Sequence, residues 1–284
     1  MLEMIHRSGK RAPKLEPTRS DPETLSAGEL ILSLADSAPR PRLTAGNLVA
    51  AGALLGVDAG AMRVAVGRLV KRGVLEQEQR GVYRLGARGA ELHRRVQAWH
   101  RVEDQIAPWT GGWIGVFTGH LGRSEKSGLR ARERALRLKG FAEARPGLAV
   151  RPHNLRAPMP VLRVELIELG LDEDALVLGI GTSDPDHPFD ATSLWDIAAL
   201  QQRYRSGCER LEASAARLPD LDVHAAARET LLVGRAVMRD ILKDPLLPEE
   251  LVDTAGRRKL IDAMKAYDRI GKDRWRNFYR MLER

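Results

Sequence analysis

The sequence predicts an α+β chain in three parts: helices closed by a short hairpin, a β-α-β-β-α-β run, and a final stretch of helices alone. Three observations carry this. Between Ser26 and Gly73 apolar residues recur at steps of three and four, as one face of a helix requires. From Val74 to Gly181, short apolar runs bounded by glycine and proline alternate with helix-like segments. Beyond Ser193 the helical steps return with no further strand signal.

The 284 residues, 43% hydrophobic and 30% charged, suffice for a folded core and for two or three domains. No run approaches a membrane span, and "MLEMIHRSGKRAPKLEPTRSDPET" lacks the apolar segment of a signal peptide. One cysteine, Cys208, makes neither an internal disulfide nor a multi-thiolate metal site, so a reducing cytoplasm is the expected location. The net charge of +8 permits a polyanionic partner. Its distribution is more informative. Between Arg63 and Arg101 there are 10 Lys and Arg against 3 Asp and Glu, whereas from Asp184 onward the count is 18 against 18. The balanced final third reads as solvated helix faces.

Taken in order, "LSAGELILSLAD" is a first helix with Ser26 or Thr24 as its cap. Thr44 caps a second, "AGNLVAAGALL", which stops at Gly56. Asp58 caps a third, which ends at Gly73 after Lys71 and Arg72. On this third helix Met62, Val66, Leu69 and Val70 share one face, while Val64, Gly67, Arg68 and Lys71 share the other, with Arg63 at the edge. "VLEQE" and "VYRL" then alternate as strands around "QRG", where Gly81 permits a tight turn. Two short helices joined by a few residues and followed by a basic-tipped hairpin predict a winged helix-turn-helix. A basic amphipathic helix can also be an ordinary solvated face; the preceding helix "LSAGELILSLAD", which completes a three-helix order, favours the winged arrangement.

"WIGVFTG" is an apolar strand, "RSEKSGLRARERALRLKG" a helix ending at Gly140, and "FAEARPGLAVRP" two strands turning at Pro146-Gly147. "MPVLRVELIELG" reads as helix or strand, and "ALVLGIGT" as a closing strand. This order is that of a ferredoxin-like βαββαβ sandwich. The charge between Arg123 and Lys139 reads as a solvated face rather than a second nucleic-acid patch. In the last part Leu194, Ile197, Leu200 and Tyr204 step along a buried face, and Leu231, Leu232, Val237, Ile241 and Leu242 along another. "DPLLPEEL" is expected to turn and start a short helix, and "DRWRNFYRMLER" is an amphipathic piece suited to packing or dimerisation. The expected boundaries are 1–24 for a disordered basic tail, 25–106 for the winged helix, 107–183 for the ferredoxin-like domain and 184–284 for the helical domain.

The phrases "LLGVDAGAMRVAVGRLVKRGVL", "YRLGARG", "GFAEARPGLAVRPHNL", "LWDIAALQQRY" and "DPLLPEEL", in this order, resemble the PaaX family of bacterial transcriptional repressors. The resemblance runs from about Ser26 to Ala266. It implies the same three-part fold and a homodimer on palindromic double-stranded operator DNA. It further implies control of aromatic catabolism and release by an aryl-CoA thioester such as phenylacetyl-CoA.

For reading an operator the outward face offers Arg63, Val64, Gly67, Arg68 and Lys71, because only such side chains reach base edges. Arg68 is suited to a bidentate contact with guanine, and Lys71, Arg72 and Arg80 to phosphates. Arg72 fits a helix C-terminal charge interaction equally well. A thioester pocket needs basic groups beside an apolar slot. Arg151, His153 and Asn154 of "VRPHNL", with Trp195 and Tyr204, are the candidates, although Trp195 and Tyr204 also fit as core residues.

Enzymatic readings find less. In "GIGTSD" Asp184 occupies the place of a third dinucleotide-loop glycine, so Gly179 and Gly181 read as a strand end. The seven histidines, His153 and His187 among them, are scattered without metal-ligand spacing, and no GxSxG elbow occurs. No cofactor or metal is expected. The alternative is a metal-dependent nuclease, since small CRISPR-associated adaptation endonucleases share the ferredoxin-like fold. Those enzymes place an aspartate at the end of the first strand, where this chain has Val116-Phe117-Thr118.

Overall fold

A computed structural model describes residues 26–34, 42–122, 124–181 and 191–283. The expected tail, Thr24, Asp184 and His187 lie outside them. Three helices, α1 (Ala27–Leu34), α2 (Ala45–Leu54) and α3 (Ala59–Lys71), precede a hairpin of β2 (Leu75–Gln79) and β3 (Val82–Leu85). Each helix starts where a side chain can satisfy its free N–H groups. The Ser26 hydroxyl accepts from the Glu29 N–H while Glu29 accepts from the Ser26 N–H, a reciprocal capping box. Thr44 accepts from Asn47 N at 3.1 Å, and Asp58 from Gly60 N and Ala61 N at 2.7 and 3.1 Å. Gly81, at φ +76°, makes the hairpin turn. The alternation had not signalled β1 (Leu43–Thr44), a two-residue strand paired with β3 that completes a three-stranded antiparallel sheet of order β1-β3-β2. Helices α2 and α3 cross closely because residue 52 is glycine: a Cβ there would lie 2.5 Å from the Met62 side chain.

After α4 (Ala87–Gln97), a second antiparallel sheet holds β4 (Trp113–Phe117), β5 (Ala142–Arg145), β6 (Leu148–Pro152) and β7 (Leu176–Ile180) in the order β5-β6-β4-β7. The connecting segments are α5 (Lys126–Leu138) and α6 (Met159–Leu169), which settles "MPVLRVELIELG" as a helix. Both helices cover one face, where Ile114, Val116 and Ala149 meet Ala135, Leu136, Leu162 and Leu166. The expectation of a solvated α5 needs one correction. Arg132 is only 5% exposed and donates to Asp172 at 2.7 Å, joining α5 to the loop after α6.

The remaining residues form α7 (Ala191–Leu194), α8 (Ile197–Arg217), α9 (Val223–Leu242) and α10 (Ala255–Leu282). "SLWDIAALQQRY" is two helices, because Asp196 accepts from Ala199 N and caps a new start. Leu242 lies at the exposed end of α9 rather than on its buried face. "DPLLPEEL" corrects the expectation of a short helix. Asp244 to Pro248 are buried in irregular backbone, with Leu246 left-handed at φ +54°. Prolines 245 and 248 lack the N–H that a helix needs, and the fold supplies partners instead. Asn154 Nδ2 donates to Leu246 O at 2.7 Å, Arg257 donates to Leu247 O at 2.9 Å, and Asp244 accepts from Leu246 N at 2.7 Å. "DRWRNFYRMLER" is the end of α10, and it packs within the chain: Trp275, Phe278 and Tyr279 belong to the core that also holds Leu30, Met62 and Leu69.

The loop at 244–248 joins the sheet to the helices. Arg151 on β6 donates to Lys139 O and, at 3.1 Å, to Asn154 Oδ1, which stands beside Leu246. Truncating Asn154 leaves the buried Leu246 carbonyl and one donor of the buried Arg151 guanidinium without their partner. Asn154→Ala is therefore expected to lower unfolding stability by about 1–3 kcal/mol in urea titrations. An unchanged transition midpoint would show that this contact contributes nothing.

Candidate nucleic-acid interface

Two opposed requirements set the orientation of α3. Its apolar stripe, Met62, Val66 and Leu69, is buried against α1, α2 and the hairpin, so the residues between them must face outward. Arg63, Val64, Gly67, Arg68, Lys71 and Arg72 are all exposed. Val64 is 54% exposed, and a Cβ added to Gly67 would meet nothing within 4 Å, so this face is open and shallow. Arg80 is exposed at the hairpin turn. Between α3 and the hairpin runs a groove of about 200 Å³, lined in part by Arg63, Gly67, Gln77 and Tyr83.

The charges on this surface are sorted. The hairpin carboxylates are engaged, Glu76 with Arg84 at 2.5 Å and Glu78 with Arg42 at 2.7 Å. Among the described residues, none of Arg63, Arg68, Lys71, Arg72 and Arg80 takes part in an ion pair. The result is a row of uncompensated cations along one helix and at the tip beside it. An outward helix with such a row can hold phosphates through charge and present donors to base edges. Sequence patterning missed Gln77 and Tyr83, because their approach to α3 depends on how the hairpin folds back. Glutamine at an exposed strand position was the available signal.

The other candidates are dispersed. Arg151 and Asn154 come together, but in the interior, 2% and 0% exposed and bonded to each other. Burial brings the Arg151 guanidinium down to about 10. His153, in the loop after β6, is exposed. Trp195 stacks on Trp113 at 6.2 Å between rings, covering one end of the sheet face that α5 and α6 leave bare. Tyr204 lies in the core between α8 and α10 beside Asp244, where burial foremost and that carboxylate raise its hydroxyl well above the usual range.

The fold and this surface define a mixed α+β chain with two antiparallel sheets, a helical C-terminal region and an outward basic helix near its start. Comparison places it further. Residues 26–89 match the family model described as PaaX-like protein. The transcriptional repressor PaaX of Escherichia coli (strain K12) is 27% identical over 218 residues, 73% of this chain and 67% of that protein. Both matches bear out the resemblance to the PaaX family, and the family model spans the whole basic surface. Among solved structures, the uncharacterized protein Rv0674 from Mycobacterium tuberculosis shares the fold, with a TM-score of 0.60 at 24% identity over 88% of this chain and 99% of its own.

The open space at Gly67 has a direct consequence. Gly67→Ala adds a side chain that touches nothing and removes a helix-interior glycine, so stability is expected to rise by up to about 1 kcal/mol. A thermal melt checks this. A lowered midpoint would mean that position 67 faces protein.

Proposed function

We propose that this chain is a transcriptional repressor that binds operator DNA through α3 and responds to an aryl-CoA thioester. The observation that carries the reading is the exposed, unpaired cation row on α3, inside the segment that matches the PaaX-like family model. The relative named a transcriptional repressor supports the same role. The order of α1 to β3 supports a winged helix-turn-helix, with α3 as the recognition helix and the β2–β3 turn as the wing. Arg68 is then the base-reading residue, with Arg63, Val64 and Gly67 at the groove floor. Lys71, Arg72 and Arg80 hold phosphates.

The order β5-β6-β4-β7 with two helices on one face supports a ferredoxin-like middle domain, bounded at about 107–183 between the winged helix and the helical domain. In a regulator this domain serves assembly rather than chemistry. Phe117, Leu176 and Leu178, 36%, 49% and 47% exposed, stand together at the end of its second face away from Trp195 and support pairing of two copies on a palindromic site. The nuclease alternative gains nothing here, since β4 ends at Phe117 and is followed by Thr118, neither of which supplies a carboxylate. No described helix is long and apolar enough to cross a membrane. A cytoplasmic, non-enzymatic regulator is the reading that the relative named a transcriptional repressor supports.

The test begins with selection of bound duplexes from a randomised DNA pool. On the selected site Arg68→Ala is expected to cost about 1–3 kcal/mol and to relax preference at one base pair. Lys71→Ala should weaken binding to all sequences alike and lower the salt slope by about one unit. Enrichment of no sequence, or equal and sequence-blind losses from both changes, would contradict the assignment.

A further inference from the structure

The hairpin beside α3 has two faces of opposite character. Gln77 and Tyr83, paired across β2 and β3, line the groove toward α3. Strand side chains alternate, so Glu76 and Arg84, the next pair along, stand on the other face, and both are exposed. The register Leu43↔Tyr83 sets Arg42, one residue before β1, beside Arg84 on that same face. Arg42 and Arg84 thus lie side by side on the sheet and look away from α3.

Glu76 and Glu78 engage them. Glu76 meets Arg84 at 2.5 Å, and Glu78 meets Arg42 at 2.7 Å while lying 3.7 Å from Arg84. Glu78 makes both contacts because it is the extra residue of a β-bulge. Gln77 pairs with Tyr83 and Gln79 with Val82, which leaves Glu78 without an opposite residue and free to reach over β3 to Arg42. Glu76 is seated by Gly86, where a Cβ would come within 3.1 Å of its carboxylate oxygen and 2.7 Å of the Gly73 carbonyl. Exposed ion pairs of this kind add little to stability. Their larger effect is on the outward field: Arg42 and Arg84 are neutralised, whereas Arg80 at the turn and the cations of α3 are not.

We infer that Glu76 and Glu78 withhold Arg42 and Arg84 from DNA, and so limit how strongly the chain binds duplexes of unrelated sequence. The inference rests on the repressor reading. Phosphate contacts carry no sequence information, so an arginine freed to reach the backbone raises affinity for any duplex. A duplex lying on the face of Arg42 and Arg84 does not have α3 in its groove. Freed, these arginines favour a mode of binding that competes with the one that reads bases. The glutamates close that mode and leave the hairpin two places to meet DNA, Arg80 at its turn and Gln77 toward α3.

The test compares the wild type with a double variant, Glu76→Gln and Glu78→Gln, and with a quadruple variant that adds Arg42→Gln and Arg84→Gln. Each is titrated at several salt concentrations with the duplex selected from the DNA pool and with an unrelated duplex, after a thermal melt has checked folding. The double variant is expected to bind the unrelated duplex about tenfold or more tightly, with a salt slope steeper by about two units. Its gain on the selected duplex should be smaller, so the ratio of the two affinities falls. The quadruple variant, neutral on this face like the wild type, should return to wild-type affinity for both. Absence of any gain in the double variant, or an equal gain on both duplexes, would overturn the inference. So would a gain that persists in the quadruple variant, since the carboxylates would then merely repel phosphate. A quadruple variant weaker than the wild type would overturn it too, because the arginines would already touch DNA. Each of these results presupposes a selected duplex and leaves the repressor reading standing; failure to select one contradicts that reading itself.

Discussion

The end of α10 is the part on which the rest of the molecule depends. Trp275, Phe278 and Tyr279, each no more than 2% exposed, sit among Leu30, Ile31, Met62 and Leu69 at the far end of the sequence. Burying large apolar side chains stabilises by about 1.5–3 kcal/mol each, and truncating one to alanine costs about 3–5 kcal/mol. Three short helices and a small sheet expose much surface for their size. The C-terminal helix closes their core, so the segment with the basic helix is held by the same helix that packs on α8 and α9. A change among the C-terminal helices is therefore a change in the seat of α3.

Electrostatics follows from that packing. Once Met62, Val66 and Leu69 are committed to the interior, helical geometry leaves the cations no direction but outward. The nearby carboxylates pair with Arg42 and Arg84, which leaves the face of α3 with one sign of charge. The same logic runs in reverse at the joint between sheet and helices. There Arg151 and Arg257 are buried, and each donates to a backbone carbonyl, that of Lys139 and that of Leu247.

What was legible in the sequence divides along the same line. Caps and turns are local, so Thr44, Asp58, Gly56 and Gly81 could be read from their neighbours, and with them the face of α3. Partners distant in sequence could not be read. The loop at 244–248 resembles a helix start because prolines favour that position, yet its conformation is fixed by Asn154 and Arg257. Arg151 looked available because arginine is seldom buried, and the carbonyls that bury it become visible only when β6 meets α5.

Native-state hydrogen exchange in a Trp275→Ala variant tests the central dependence most directly. The account predicts that backbone amides of α2 and α3 lose protection by a factor of about 100 or more, as the loss of a core aromatic converts at 1.4 kcal/mol per tenfold. Protection in β4 and β6, whose core is separate, should change far less. Unaltered protection in α2 and α3 would contradict the account, because it would show that the segment with the basic helix stands without the helix on which its core is built.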